Sequence, residues 1–336
     1  VARYQGLYAT HIRGERETIL EAVAEAIQIG REAGVPLQIS HNAPKFGAPD
    51  DATANLRLVE EARARGQDVT VDNDLHTDLG PPLTGGLPQD VQERPVAEIV
   101  ALLRNPEARR QIREEIVADR RPAFGPAGLL KHGRWQRITL LHAPHSPGVK
   151  GQTVATIARE RGCDPFDAYF DLIVENGHEA EAIFDYIDEE NIRILLRHPA
   201  VMVCSDGQVS APYGFLNDPP PYCPCCYGEF PGLLERYVRD EPLLTLQEAV
   251  RKMTSFPAQR FGLHDRGVLR PGAWAEIVVV DLERVRDRAT GFYPHQYPEG
   301  IDNVLVNGLP VVYEGEHTGA LPGQVLRKPG YTAGST

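Results

Sequence analysis

Apolar positions recur along this chain with two periods that take turns. Gly6 to His11 is a short β-prone run, Thr18 to Ala33 is an alanine-rich stretch with helical spacing, Gly34 stops it, and Val35 to Ser40 is β-prone again. The pattern predicts a β-α-β unit. A second helix follows at about Asp51 to Arg65, ends at Gly66 and leads into a strand over Asp68 to Asp72. The rhythm then breaks: residues 77–137 hold Pro81, Pro82, Gly85, Gly86 and one charged helix around Val96 to Val117, too long for a simple βα connection. They are expected to form an inserted lid.

The cycle is expected to resume with a strand over Ile138 to His142, helices at Thr153 to Arg161 and Asp164 to Glu175, a strand at Glu181 to Phe184, a helix at Glu189 to Arg197, and the strand Val201 to Cys204. Such alternation predicts an α/β fold with a parallel sheet covered by helices. The strand-ending residues His11, His41, Asp72 to His76, His142 and Asp206 carry the polar chemistry. In a (β/α)8 barrel the reacting groups sit at these ends, on one face. After a helix at Leu246 to Phe261 the texture changes to short strands separated by turn residues, at Ala275 to Asp281, Ile301 to Asn307 and Pro310 to Tyr313. A small appended β-sandwich is the expectation.

Composition narrows the partners. With 336 residues, 42% hydrophobic and 24% charged, the chain can bury a large core. The formal charge of −12 sets it against phosphate backbones, so nucleic acid is not an expected partner. The longest apolar runs, such as Ile277 to Val280, are too short to span a bilayer. Five cysteines form an odd set without a spread disulfide pattern, which points to a reducing, cytoplasmic setting.

Several segments together resemble the D-aminoacylase branch of the metal-dependent amidohydrolases, the N-acyl-D-amino-acid deacylases. They are Gly6 to Arg13, Val35 to His41, Ser205-Asp206-Gly207, Arg251 to Ser255, Gly267 to Gly272 with Ala275 to Val278, and Val306 to Gly308. Their order and spacing carry the resemblance. It implies a metal-bearing (β/α)8 (TIM) barrel of amidohydrolase type from about the fourth strand onward over residues 1–262, and a β-sandwich segment over 263–336. It also implies hydrolysis of a non-peptide C–N bond in a small-molecule amide, first an N-acylated D-amino acid, with a cyclic amide or imide as the alternative within the superfamily. One or two divalent ions, Zn2+ first, are the implied cofactor. The family's His-x-His pair does not occur among the eleven histidines here, so the resemblance implies a companion N-terminal segment or chain, and an oligomer. A non-catalytic scaffold subunit is the reading from a different class.

The resemblance also assigns residues. His41 matches a metal-ligand position at the end of the fifth strand; by itself it reads first as a buried histidine bonded to a backbone carbonyl. His76 is offered as a second ligand, with Asp72 and Asp74 as competitors. Asp206 takes the position of the metal-binding aspartate that acts as general base and acid; an Asp-Gly turn is its plain alternative. His11, Arg13, His142 and Tyr227 are expected to line the substrate site, Arg13 through its guanidinium fork. Before Tyr227 this chain has Cys223, Cys225 and Cys226 where relatives carry His-Pro-Arg, so an arginine suited to a carboxylate is absent there. The three thiols are read either as metal or redox groups or as free thiols near the pocket.

Overall fold

The computed structural model describes residues 1–48, 50–118, 127–217 and 224–327. Its first half builds the expected alternation. Strand β1 (Tyr8–Thr10) leads to helix α1 (Ile19–Ala33), strand β2 (Leu37–Ile39), helix α2 (Ala52–Ala64) and strand β3 (Val69–Asn73). Helix α1 buries Ile19, Ala22, Val23, Ala26, Ile27 and Gly30, spaced three and four apart on one face, and ends where Gly34 turns left-handed at φ 63°. Helix α2 begins where the Asp51 side chain accepts a bond from the Thr53 N–H, satisfying one of the donors a helix start leaves open.

Strands β1, β2 and β3 are parallel neighbours, and the next strand in that sheet is β7 (Val201–Val203). Val71 pairs with Val201 and Asn73 with Val203. Leu37, Ile39, Val69, Val71 and Val201 are fully buried. Buried aliphatic side chains of this kind each stabilise the fold by roughly 1.5–3 kcal/mol. The core they share includes Val23, Val59, Ile192 and Leu195 from α1, α2 and helix α9 (Glu189–Arg197).

Between β3 and α9 the structure departs from the expected cycle. Strand β4 (Asp78–Leu79) precedes helices α3 (Gln89–Gln92), α4 (Val96–Arg104), α5 (Pro106–Ala118) and α6 (Ala127–Lys131). Strand β5 (Ile138–His142), helices α7 (Val154–Arg161) and α8 (Pro165–Asn176), and strand β6 (Glu181–Asp185) follow. The strands β5 and β6, expected in the parallel sheet, instead pair antiparallel with each other, and β4 pairs antiparallel with β6. Their alternate residues Ile138, Leu140, Ala182 and Phe184 face a second core with Leu83, Ile99, Leu130, Tyr169 and Phe170. The sheet has that core to cover and so does not join the first one. The single helix expected over Val96 to Val117 is two, α4 and α5, divided at Asn105 because Pro106 cannot continue the helix before it.

Helix α10 (Cys225–Leu234) continues into a π-helical turn, Glu235–Asp240. The helix expected over Leu246 to Phe261 is also two, α11 (Leu246–Met253) and α12 (Ser255–Arg260), parted at Thr254. The C-terminal strands β8 (Ile277–Val280), β9 (Ile301–Val306), β10 (Leu309–Tyr313) and β11 (Glu316–His317) form one antiparallel sheet, in the order β11-β10-β9-β8. Among the described residues no second sheet pairs with it to make a sandwich. No helix of the described residues is long and apolar enough to cross a membrane.

Candidate metal centre

The ends of β1, β2 and β7 bring chemistry together. His11 follows β1 and His41 follows β2, and the parallel register that pairs Thr10 with Ile39 sets the two histidines side by side. His11 Nδ1 lies 2.8 Å from His41 Nε2. The other nitrogen of His41, Nδ1, is 3.0 Å from Glu15 Oε1, and Lys45 Nζ is 3.8 Å from the same oxygen. The His41 backbone is held too: its N–H donates to Asp72 Oδ1 at 2.9 Å, while Gln38 Nε2 donates to Asp72 Oδ2 at 2.5 Å. Thr70 completes the chain by donating to Gln38.

Two residues here sit in backbone conformations that side chains avoid. His41 has φ 34° and Asp206, beyond β7, has φ 47°. Left-handed non-glycine residues cost free energy and persist where surrounding bonds fix them, as Asp72 fixes His41.

Charge is concentrated at this point. Burial works against a charged His41 ring, but the Glu15 carboxylate outweighs it and holds the ring above the ordinary histidine pKa. Burial wins at His11, whose pKa is lowered. For Glu15 burial acts upward, yet Lys45 and His41 carry its pKa below the usual range. The buried Lys45 ammonium is kept charged against desolvation by Tyr186, Glu15, Asp74 and Asp206. The charge of Asp206 reaches His11 and His41 as well. Three carboxylates, Glu15, Asp74 and Asp206, thus face one ammonium around the two imidazoles. That balance favours a divalent cation.

The donor set fits one. His11, Glu15 and His41 each offer a ligand atom, all within 4.8 Å of one another. Two ring nitrogens converging while a carboxylate backs the second ring at its far nitrogen is the arrangement that orients a metal-binding histidine.

Not every expected residue is here. His76 is buried elsewhere: Nδ1 is 2.5 Å from Glu229 Oε1 on α10, and Nε2 is 3.5 Å from Asp287 Oδ2. Glu229 also accepts from the N–H of Leu75 at 2.8 Å. Held between two carboxylates, the ring is pushed up to about 9 against burial, through Asp287 and Glu229. It serves as a cation, not as a neutral ligand. Arg13 is 81% exposed and pairs with Glu25 of α1 at 3.1 Å. His142 ends β5 in the antiparallel sheet, exposed. Asp72 is a positioning group for His41, and Asp74 Oδ1 is buried without a hydrogen-bond partner among the described residues.

Tyr227 opens α10 near Asp206, because Gly207 packs against the backbone of Cys226. Cys226 and Cys204 are free thiols, and burial with Asp72 and Asp74 close by pushes Cys204 well above its usual pKa. Cys225 is buried and disulfide-bonded, unlike the free thiol expected, and Cys223 lies outside the described residues. Glu15 and Lys45 were not singled out in the sequence. The spacing His11 to Glu15 in a loop has no period to mark it, and the contact between them depends on β2 arriving alongside.

The chain belongs to the amidohydrolase family, whose model matches residues 10–312. Within that class it is similar to N-acyl-D-glutamate deacylase of Alcaligenes xylosoxydans xylosoxydans, 34% identical over 98% of this chain and 56% of that protein. D-aminoacylase of the same organism is 32% identical over 98% of this chain and 56% of its own length. Among solved structures, N-acyl-D-glutamate deacylase from Bordetella bronchiseptica, complexed with zinc and a phosphonate inhibitor, matches with a TM-score of 0.64. It is 30% identical over 92% of this chain and 54% of that one. The chain spans a little over half the length of the curated relatives it matches.

Proposed function

We propose that this chain is the larger part of a zinc-dependent deacylase that hydrolyses the amide bond of an N-acyl-D-amino acid. The observation that carries the reading is the His11–His41 pair, 2.8 Å apart at two neighbouring strand ends, with Glu15 behind it and Asp206 facing it. His11 Nδ1 and His41 Nε2 would hold the ion. His11 moves in this reading from a substrate contact to a ligand, and His76 leaves the ligand set. A bound zinc ion supplies Lewis acidity toward the amide carbonyl and acidifies water to a pKa near about 7.

The chain's own residues do the rest. Asp206 accepts the proton of the attacking water and returns it to the leaving nitrogen, so that amide and water become a carboxylic acid and an amine. Glu15 fixes the tautomer and direction of the His41 ring. Lys45, buried and charged, offers the ammonium for the substrate's carboxylate, in place of an arginine before Tyr227. Two imidazoles and Asp206 leave room for further donors, which we assign to a companion segment carrying a His-x-His pair. In domain terms, residues 1–262 are the barrel-type part, the antiparallel lobe with its own core is the lid grown to about residues 77–185, and the sheet β8–β11 within the segment 263–336 is one face of a β-sandwich.

Zinc content by elemental analysis, with hydrolysis of a panel of N-acyl-D-amino acids, tests this. The wild-type chain supplied with the companion segment should bind zinc and turn over, and Asp206→Asn should keep the metal and lose turnover. Zinc retained in full by a His11→Ala, His41→Ala double variant would sink it.

A further inference from the structure

Two loops of the centre close on one helix. After β3 the chain runs through Asp74 to Leu75 and His76, and after β7 it runs through Asp206 to Gly207. Both loops meet the start of α10. A Cβ on Gly207 would stand 3.0 Å from Cys226 Cα and 3.4 Å from Cys226 N, so the Asp206 loop lies on the helix backbone. One turn further along that face, Glu229 takes the other loop. Its Oε2 accepts from the Leu75 N–H at 2.8 Å, and its Oε1 accepts from the His76 N–H at 3.3 Å and meets His76 Nδ1 at 2.5 Å. The charge of this buried carboxylate also reaches the Cys204 thiol, two residues before Asp206.

The C-terminal segment locks the same turn. Asp287 Oδ2 is 3.5 Å from His76 Nε2 and accepts from Arg236 at 3.1 Å. Its Oδ1 accepts from the Ala289 N–H at 2.9 Å, and its own N–H donates to Glu235 Oε2 at 2.7 Å. Residue 228 of the helix is a glycine that admits this contact, since a Cβ there would stand 2.2 Å from Asp287 Oδ1. A buried cation held between two carboxylates, each with further donors, fixes direction as well as charge. Asp206 needs such a support: at φ 47° it holds a conformation that a side chain keeps only where its surroundings impose it. The helix that Glu229 anchors is part of those surroundings.

We propose that Glu229, with His76 and Asp287, is a positioning group for the reaction: the clasp seats α10 against Gly207 and thereby aims the Asp206 carboxylate. The inference rests on the deacylase reading and adds to it residues that touch neither substrate nor metal. A displacement of about 1 Å at a reacting group can cost about 100-fold in rate. Zinc on His11 and His41, and the substrate's carboxylate on Lys45, would be left as they are.

Glu229→Gln tests this, because it keeps the volume but turns one acceptor into a donor facing the Leu75 and His76 donors. The full chain is used, with the companion segment supplied. Amides of residues 74–76 and 205–211 should exchange with deuterium at least about tenfold faster than in wild type, while those of α1 and β5 stay unchanged. Turnover should fall about 10- to 100-fold, with KM and zinc affinity within about twofold of wild type. In the Asp206→Asn background the same substitution should cost less than about twofold, because nothing is left to aim. Asp287→Asn should move exchange and turnover the same way by smaller factors, and it carries the test if circular dichroism shows Glu229→Gln unfolded. Wild-type exchange in the Asp206 loop of the folded variants overturns the proposal, and so does a rate loss that multiplies in full with that of Asp206→Asn. A wild-type protein that hydrolyses no N-acyl-D-amino acid overturns the deacylase reading instead, and the exchange of residues 205–211 then decides whether the clasp holds Asp206.

Discussion

Replacing His76 by glutamine removes the cation from a site where Glu229 and Asp287 are both almost fully buried. Glutamine keeps much of the volume and one donor, so the change is chiefly one of charge. The wild-type ring is raised from 6.5 to about 9, which at about 1.4 kcal/mol per unit corresponds to about 3 kcal/mol of folding free energy. Burial of the carboxylate in turn pushes Glu229 up to about 7, against the pull of His76. The sign follows from the raised folded-state pKa of the histidine: its contribution is complete below 6.5 and is lost as pH rises through about 9. The gap between wild type and His76→Gln should therefore be roughly 2–3 kcal/mol at pH 7 and close to zero by about pH 10. Urea unfolding followed by far-ultraviolet circular dichroism at both pH values reads it, and the pull of His76 on Glu229 belongs to the same gap because it disappears with the ring's charge. A gap of the same size at both pH values would place the loss in packing and refute the charge argument. So would a variant within about 0.5 kcal/mol of wild type at pH 7, the range of an ordinary surface change.

Other expectations concern the metal and the backbone. Glu15→Gln should weaken zinc binding about 10- to 100-fold, measured by competition with a chromophoric chelator, because His41 loses the carboxylate that orients it; unchanged affinity would remove Glu15 from that role. Asp206→Asn should lower turnover by about 10²- to 10⁴-fold while zinc stoichiometry stays constant; parallel loss of metal and rate would make Asp206 a ligand first. Gly300 has φ 78°, and an added Cβ would stand 2.5 Å from Val285 N. Gly300→Ala should therefore cost more than about 1 kcal/mol in a thermal melt, and a melt like that of wild type would contradict the contact.

The periodic parts of the fold were legible. Helices α1 and α2 lie within a residue or two of where spacing and the Gly34 and Gly66 stops put them, and β2, β3 and β7 are where buried β-branched runs predicted. The partnership of strands was not legible. Ile138 to His142 has the same texture as a parallel core strand, and only the pairing with β6 makes it part of an antiparallel sheet. The same limit governs the site. His41 and Asp206 could be singled out because they end strands, whereas the fate of His76 was set by Glu229, 153 residues away. Nothing local distinguishes a histidine that will meet a metal from one that will meet two carboxylates.

The pairing of β3 with β7 bears on how the molecule is made. Val71 waits for Val201, about 130 residues later in the chain. At ribosomal rates of about 5–20 residues per second, the open edge of β3 stands unpaired for roughly 6–25 s before its neighbour emerges. During that interval the antiparallel lobe is synthesised whole, with a core of its own. A lobe that folds early shortens the gap that β7 must close and shields a growing sheet edge from neighbouring nascent chains. Slow or damaged folding of the lobe would then show as aggregation during synthesis, even where the finished protein is stable.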